Sequence, residues 1–145
     1  PVSDARIHAM TFYRSPKSLN TRFTRTKNLD KNMYNVESWL SHHGEKLRQR
    51  FSLKSYLFLN KLLSSTDITR DGKTFINKIS KIKSSIHLIS VDSDIFFLPV
   101  EDHETYLVAK KNNLDITNHT INSIHGHDAF LIETKQISDI FTKIF

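Results

Sequence analysis

The sequence predicts an α/β fold in which a helical first part is followed by parallel strands that alternate with helices. Residues before 67 place apolar side chains at helical spacing, and the turn-rich run DITRDGKT (residues 67–74) ends that part. Two short strand-like runs follow, the first of them largely apolar, and each is succeeded by a helical pattern. The order β-α-β-α implies parallel strands joined by crossover helices. We therefore assign residues 1–70 to a helical subdomain and residues 71–145 to a β-α-β-α part.

The first helical segment covers residues 3–13 and is predicted to end before Pro16, because a proline disfavours helical backbone in the residue before it. Residues 18–32 are rich in Thr, Asn and Lys and have no sustained period. We expect a short helix and a loop there.

The strongest helical pattern covers residues 34–51, and its weak point is Gly44. Ser52 is a candidate N-cap for the next helix, because hydroxyl side chains bond the exposed amides of a first turn. That helix carries Tyr56, Leu57, Leu59, Leu62 and Leu63. Since almost nothing separates the two helices, we expect them to form a helical hairpin.

The second part begins with a predicted short helix at residues 75–82. A largely apolar run near residues 86–91 indicates a buried strand of the parallel type. A helix over residues 99–112 and a strand over residues 115–121 follow. A closing amphipathic helix holds Phe130, Leu131, Ile137, Ile140 and Phe141. Because two strands make a poor sheet, we expect the edge of a larger doubly wound sheet whose other strands lie outside this chain.

Composition excludes some classes of protein. The chain has 145 residues and no cysteine, so it has no disulfide framework and no thiolate zinc site. Its net charge of +6 raises nucleic-acid binding, but the basic residues are scattered and we expect no nucleic-acid partner. No apolar run approaches the ~20 residues that span a bilayer, and the start lacks a secretory pattern. We expect a cytoplasmic protein without a membrane partner and, because it begins with Pro1, a piece of a longer chain.

Candidate catalytic residues follow the two predicted strands. Asp92-Ser93-Asp94 comes after the first strand, and His125-Gly126-His127-Asp128 comes after the second. Catalytic groups of open parallel sheets gather at the carboxyl ends of the strands, where an Asp can orient a His as general base. His125 and His127 lack the further ligands that a zinc site needs, so we expect no metal. The G-x-S-x-G nucleophile elbow is absent, because the chain's three glycines are isolated from one another.

Five segments resemble the homoserine O-acetyltransferases, which have an α/β-hydrolase fold. The runs ISVDSDIFFLP (residues 89–99) and GHDAFLIE (residues 126–133) are similar to that family's Asp and His motifs. Three others are similar to its helical lid: DARIHAMTFYRSPKSLNTRF (4–23), YNVESWLSHHGEKLRQRF (34–51) and SYLFLNKLLSSTDIT (55–69). The resemblance implies that this chain is the C-terminal part of an α/β-hydrolase fold, its final parallel strands and helices, with a helical lid subdomain.

The resemblance also implies roles for individual residues. Asp94 and His127 would be the acid and base of a Ser-Asp-His triad whose Ser is not in this chain. Arg6 and Asp128 would bind L-homoserine, because an Arg suits its carboxylate and an Asp its ammonium. Arg14 competes with Arg6 for the first role, and Asp128 also suits a helix N-terminus.

The reaction implied is transfer of acetyl from acetyl-CoA, a co-substrate, to L-homoserine in methionine biosynthesis, with no bound cofactor and with homodimers formed through the lid helices. The sequence departs from the family at His125, where an aromatic residue is common, and in the run Phe96-Phe97-Leu98-Pro99. These departures leave acyl and acceptor specificity open. The alternatives are succinyl transfer to homoserine or serine, ester hydrolysis by the same fold, and a dimerising remnant without activity.

Overall fold

The computed structural model describes every residue from Pro1 to Phe145, and the chain forms two compact units, Pro1–Thr66 and Asp67–Phe145. The first unit contains α1 (Val2–Tyr13), α2 (Pro16–Arg22), β1 (Lys27–Asn28), β2 (Met33–Tyr34), α3 (Asn35–Arg50) and α4 (Leu53–Ser64). The second contains α5 (Phe75–Ile79), β3 (Ile86–Val91), α6 (Pro99–Lys111), β4 (Ile116–Ile121), a 3₁₀ segment (Gly126–Leu131) and α7 (Thr134–Ile144). This combination of helices and strands is that of an α/β protein. None of the helices is both long and apolar enough to cross a lipid bilayer.

The first unit is organised by the packing of α1 against α3. Gly44 lies at their contact and is buried; a Cβ atom there would sit 2.5 Å from the Oγ of Ser3 and 2.8 Å from its carbonyl oxygen. α3 runs through Gly44 without a break, so the predicted weak point is the place where the helices approach most closely. The glycine is needed there because any side chain would push the two backbones apart.

The predicted helical hairpin is wrong. Ser52 does cap α4, since its hydroxyl oxygen accepts the N–H of Ser55 at 3.1 Å, but α4 does not pack along α3, whose partner is α1. No residue of α4 is buried. Six large apolar residues of α4 are therefore exposed: Leu53, Leu57, Phe58, Leu59, Leu62 and Leu63.

Between α1 and α3 the predicted short helix is present as α2, and the predicted loop contains two short strands. α2 begins at Pro16, which occupies the first helical position, where its missing N–H costs nothing. The hydroxyl of Ser15 caps that helix by accepting the N–H of Ser18 at 3.0 Å. β1 and β2 then pair as an antiparallel hairpin of two residues on each side, too short to leave an alternating pattern in the sequence.

In the second unit, β3 and β4 pair in parallel over their whole length, from Ile86↔Ile116 to Val91↔Ile121. Each face of this sheet is covered by a helix. Ala109 of α6 packs with Ile79 and Ile116 on one face, and Ile140 of α7 packs with Val91, Ile121 and Ala129 on the other. The closing helix begins only at Thr134, so the expectation that Phe130 and Leu131 belong to it is wrong; they lie in the 3₁₀ segment.

Candidate active site

Asp94 lies in the turn that follows β3. Its amide donates to the carbonyl oxygen of Val91 at 3.1 Å, which closes the turn at the carboxyl end of the strand. The side chain is buried, and its Oδ1 atom accepts the backbone N–H groups of Phe96 at 2.7 Å and Phe97 at 3.0 Å. These two bonds compensate the carboxylate for lost water and fix its plane. Its Oδ2 atom remains for another partner.

That partner is His127, in the segment that follows β4. The chain turns through Gly126, whose φ of +67° lies in the left-handed region that favours glycine. The Nδ1 atom of His127 then lies 2.9 Å from the Oδ2 atom of Asp94. Because a carboxylate only accepts, Nδ1–H is the donor, and the Nε2 atom of the neutral ring keeps its lone pair. An imidazole oriented in this way can act as a general base.

Three phenyl rings surround the imidazole of His127. The ring centroids of Phe96, Phe97 and Phe130 lie 5.4, 5.1 and 5.7 Å from that of the histidine. Only 24% of the His127 side chain is exposed. The rings therefore restrict both the rotation of the imidazole and the access of water to it. All three phenylalanines stand inside the two motifs, but sequence reasoning assigned them no role.

A cavity of about 520 Å³ adjoins the pair formed by Asp94 and His127. A second carboxylate, that of Asp102 in the first turn of α6, also lines it. Burial, followed by the charge of Asp94, raises the pKa of the Asp102 carboxyl. Sequence reasoning missed Asp102; its only signal was its position in the first turn of the helix that follows the Asp motif. The remaining walls are largely apolar and include Ile89, Val91, Phe97, Ile121, Phe130, Ile137 and Phe141.

The two residues with a proposed role in substrate binding lie in different units. Asp128 is half-buried and directly follows His127 in the 3₁₀ segment. Arg6 lies on α1 in the first unit, where its guanidinium stands 4.9 Å from the centre of the Tyr13 ring. It also lines a cavity of about 250 Å³ with residues of α3 and α4, among them Leu47, Leu59 and Asn60. No carboxylate forms an ion pair with Arg6.

No group of three or more His, Asp or Glu side chains is arranged to hold a metal ion. His125 and His127 stand in the same segment, and the ring of His127 is engaged by Asp94 through Nδ1. The two side chains that meet at the strand ends are a carboxylate and an imidazole joined by one hydrogen bond.

No protein-family model matches the chain, but individual curated proteins do. It is 34% identical to a homoserine O-acetyltransferase of Methanococcus vannielii over 96% of the chain and 30% of that protein. It is 34% identical to one of Chloroherpeton thalassium, covering 96% of the chain and 35% of the relative. With a third, of Salinibacter ruber, it shares 32% identity over 96% of the chain and 39% of the relative. The chain thus spans about a third of the length of these relatives and matches a C-terminal portion of them.

Proposed function

Because the chain corresponds to a C-terminal portion of the homoserine O-acetyltransferase family, we propose that it supplies the acid and the base of an acetyl-transfer site. In this proposal the donor is acetyl-CoA and the acceptor is L-homoserine, and the reaction serves methionine biosynthesis. One observation carries the proposal: the Nδ1 atom of His127 lies 2.9 Å from the buried carboxylate of Asp94, where two parallel strands end. This is the placement that a triad of the α/β-hydrolase type requires.

The proposed chemistry begins with a serine supplied from outside this chain. The Nε2 atom of His127 takes the proton of the serine hydroxyl as its oxygen attacks the acetyl thioester, and the protonated ring then gives that proton to the departing CoA thiolate. In the second half, His127 takes the proton of the homoserine hydroxyl. That hydroxyl oxygen attacks the acetyl-serine ester, and the proton returns to the serine oxygen. Asp94 remains ionised and stabilises the imidazolium in both halves.

Arg6 and Asp128 would hold the acceptor amino acid. The guanidinium of Arg6 has no carboxylate partner in the chain and is half-buried, so it suits the carboxylate of homoserine. Asp128 is adjacent to the base and suits the ammonium group of homoserine. With both ends of the amino acid held, its hydroxyl is the free nucleophile. No tightly bound cofactor takes part in this scheme.

The first unit would act as the helical lid of an α/β-hydrolase fold and would carry the dimer contact. α4 exposes an apolar face on which Leu57, Phe58 and Leu63 are 59%, 60% and 69% exposed. Such a face is unfavourable in water and is typical of a surface that a partner covers. We assign a second copy of the protein as that partner. The double variant Phe58→Glu, Leu62→Glu should be a monomer where the wild type is a dimer, as measured by sedimentation velocity. An unchanged sedimentation coefficient would remove this assignment.

The catalytic proposal is tested with the native gene product. Release of CoA thiol from acetyl-CoA should depend on L-homoserine, and succinyl-CoA should be a poor donor. Equal use of succinyl-CoA would indicate a succinyltransferase, and CoA release without homoserine would indicate a hydrolase. A folded oligomer that releases no CoA thiol under any of these conditions would contradict the enzymatic proposal and favour a non-catalytic, dimerising protein.

A further inference from the structure

The segment that carries His127 is held by a hydrogen-bonded group outside the acid–base pair. This group consists of Ser123, Glu133 and Gln136, and we call it the Glu133 clamp. Glu133 precedes α7, Gln136 lies in the first turn of α7, and Ser123 lies in the loop between β4 and the 3₁₀ segment. The clamp therefore connects the two ends of the segment in which the proposed general base stands.

One end of the clamp fixes the start of the loop. The side-chain amide of Gln136 donates to the carbonyl oxygen of Asn122 at 2.9 Å and accepts the N–H of the same residue at 3.0 Å. These paired bonds imitate the pairing of a neighbouring strand directly after β4 ends. The same Nε2 atom of Gln136 also donates to Glu133 at 3.3 Å.

The other end of the clamp reaches the residues next to the base. The hydroxyl of Ser123 donates to the Oε1 atom of Glu133 at 2.7 Å, and its oxygen accepts the N–H of His125 at 3.1 Å. Glu133 thus accepts one hydrogen bond at each of its two oxygens, which suits an ionised carboxylate. Hydrogen bonds from Ser123 and Gln136, together with the charge of His125, hold the pKa of Glu133 below its usual range.

The turn after β3 holds the same loop from the opposite side. The Oδ1 atom of Asp92 accepts the N–H of Ser123 at 2.9 Å, and the hydroxyl oxygen of Ser93 accepts the N–H of Gly126 at 3.0 Å. The loop is thus anchored to the turn that contains Asp94 and, through the clamp, to α7. Without Glu133, Ser123 loses its bond toward α7, and near the base the loop is held only by the turn after β3.

We propose that Glu133 is a positioning residue that keeps Nδ1 of His127 within hydrogen-bond distance of Asp94. The inference rests on the proposed role of His127 as general base. Its effect on the imidazole of His127 is indirect and passes through Ser123 and the loop. Its loss allows the His127 segment to shift while β3 and β4 stay paired.

The test follows the exchange of the His127 Nδ1 proton with water, measured from its low-field proton resonance in the full chain. In Glu133→Ala this exchange should become roughly ten to a hundred times faster, as expected for losing hydrogen bonds to a charged group. Glu133→Gln should give an intermediate rate, because its amide can accept from Ser123 only by turning its own N–H groups toward Gln136. Lys135→Gln is the matched control and should leave the rate unchanged, since that side chain is exposed and paired only with Asp139.

Two results would overturn the inference. One is a wild-type exchange rate in folded Glu133→Ala or, where that variant does not fold, in Glu133→Gln. The other is equally accelerated exchange of the β3 and β4 backbone amides, which would mean a general loss of stability. The readout does not depend on acetyl transfer. An inactive native enzyme with the expected exchange pattern would contradict the proposed function alone, and an active enzyme with unchanged exchange would contradict the positioning role alone.

Discussion

The two units of this chain differ in how many of their polar and apolar side chains find partners within the unit. In the second unit, the buried Asp94 has three hydrogen-bond partners, and the loop of His127 is anchored on both sides. In the first unit, α4 buries none of its residues, and Arg6 stands over the ring of Tyr13 without an ion pair to a carboxylate. The geometry of the acid–base pair is therefore a local property of the second unit. The first unit presents groups that suit a ligand or another protein surface.

His127→Ala gives the largest expected effect and tests whether catalysis depends on the acid–base pair of the second unit. Acetyl transfer by the native enzyme should fall by about 10⁴-fold or more, because the proton acceptor is lost. The measurement is homoserine-dependent release of CoA thiol. The urea unfolding midpoint should stay near that of the wild type. His87→Ala, at an exposed site on β3, is the control, and a similar loss in the control would contradict a specific role for His127.

Asp94→Asn asks whether the acid orients the base or only holds the turn. The new amide can still accept the N–H groups of Phe96 and Phe97 through its oxygen, and its NH₂ group then faces Nδ1 of His127. This forces the neutral ring into the tautomer with the proton on Nε2, so the rate should fall by about 10³- to 10⁴-fold with the fold intact. Steady-state kinetics and circular dichroism check this. Asp139→Asn, an exposed change on α7, should have no effect; turnover retained by Asp94→Asn would remove the orienting role.

Arg6→Ala tests whether the first unit contributes through binding alone. Loss of a charge-assisted bond to the homoserine carboxylate should raise the homoserine KM roughly ten- to a hundredfold, while the acetyl-CoA KM changes little. Initial rates at varied homoserine give the answer. If Arg14→Ala shows this pattern and Arg6→Ala does not, the role belongs to Arg14.

Gly44→Ala should have the smallest effect, confined to the first unit. The new methyl group would meet the backbone oxygen of Ser3 at 2.8 Å. Overpacking of this kind outweighs the better helix propensity of alanine and should lower the free energy of unfolding by about 1–2 kcal/mol. Denaturant unfolding measures it. The matched change Ser41→Ala lies on the exposed side of α3 and should be neutral or stabilising. A stabilised Gly44→Ala would mean that α1 and α3 can separate without cost.

Sequence reasoning succeeded where one local pattern decides the structure. A largely apolar run at residues 86–91 and a second run at residues 115–121 were predicted as two strands, and their β-α-β order indicated the parallel pairing observed. The placement of polar residues after each strand indicated the contact between Asp94 and His127. Their catalytic role, and those of Arg6 and Asp128, stay predictions.

Prediction from the sequence failed where the structure depends on which helix faces and loops pack against each other. Periodicity shows that α3 and α4 each have an apolar face but not which helix covers it, so the predicted hairpin was wrong. The apolar Phe130 and Leu131 continue the period of α7, although Gly126 and the loop anchors hold them in a separate 3₁₀ segment. The Glu133 clamp consists of side-chain bonds across a loop, which leave no period in the sequence.

The anchoring of Asp94 by two backbone amides has a consequence for how this site can diverge. The donors are backbone N–H groups, which every residue except proline has. Substitutions at positions 96 and 97 can therefore keep both hydrogen bonds to the Asp94 carboxylate. The rings of Phe96 and Phe97 beside His127 can therefore be replaced while Asp94 stays hydrogen-bonded in place. Natural variation or directed evolution can reshape the surroundings of the base at these two positions, and a library randomised there should retain the acid–base pair in most of its members.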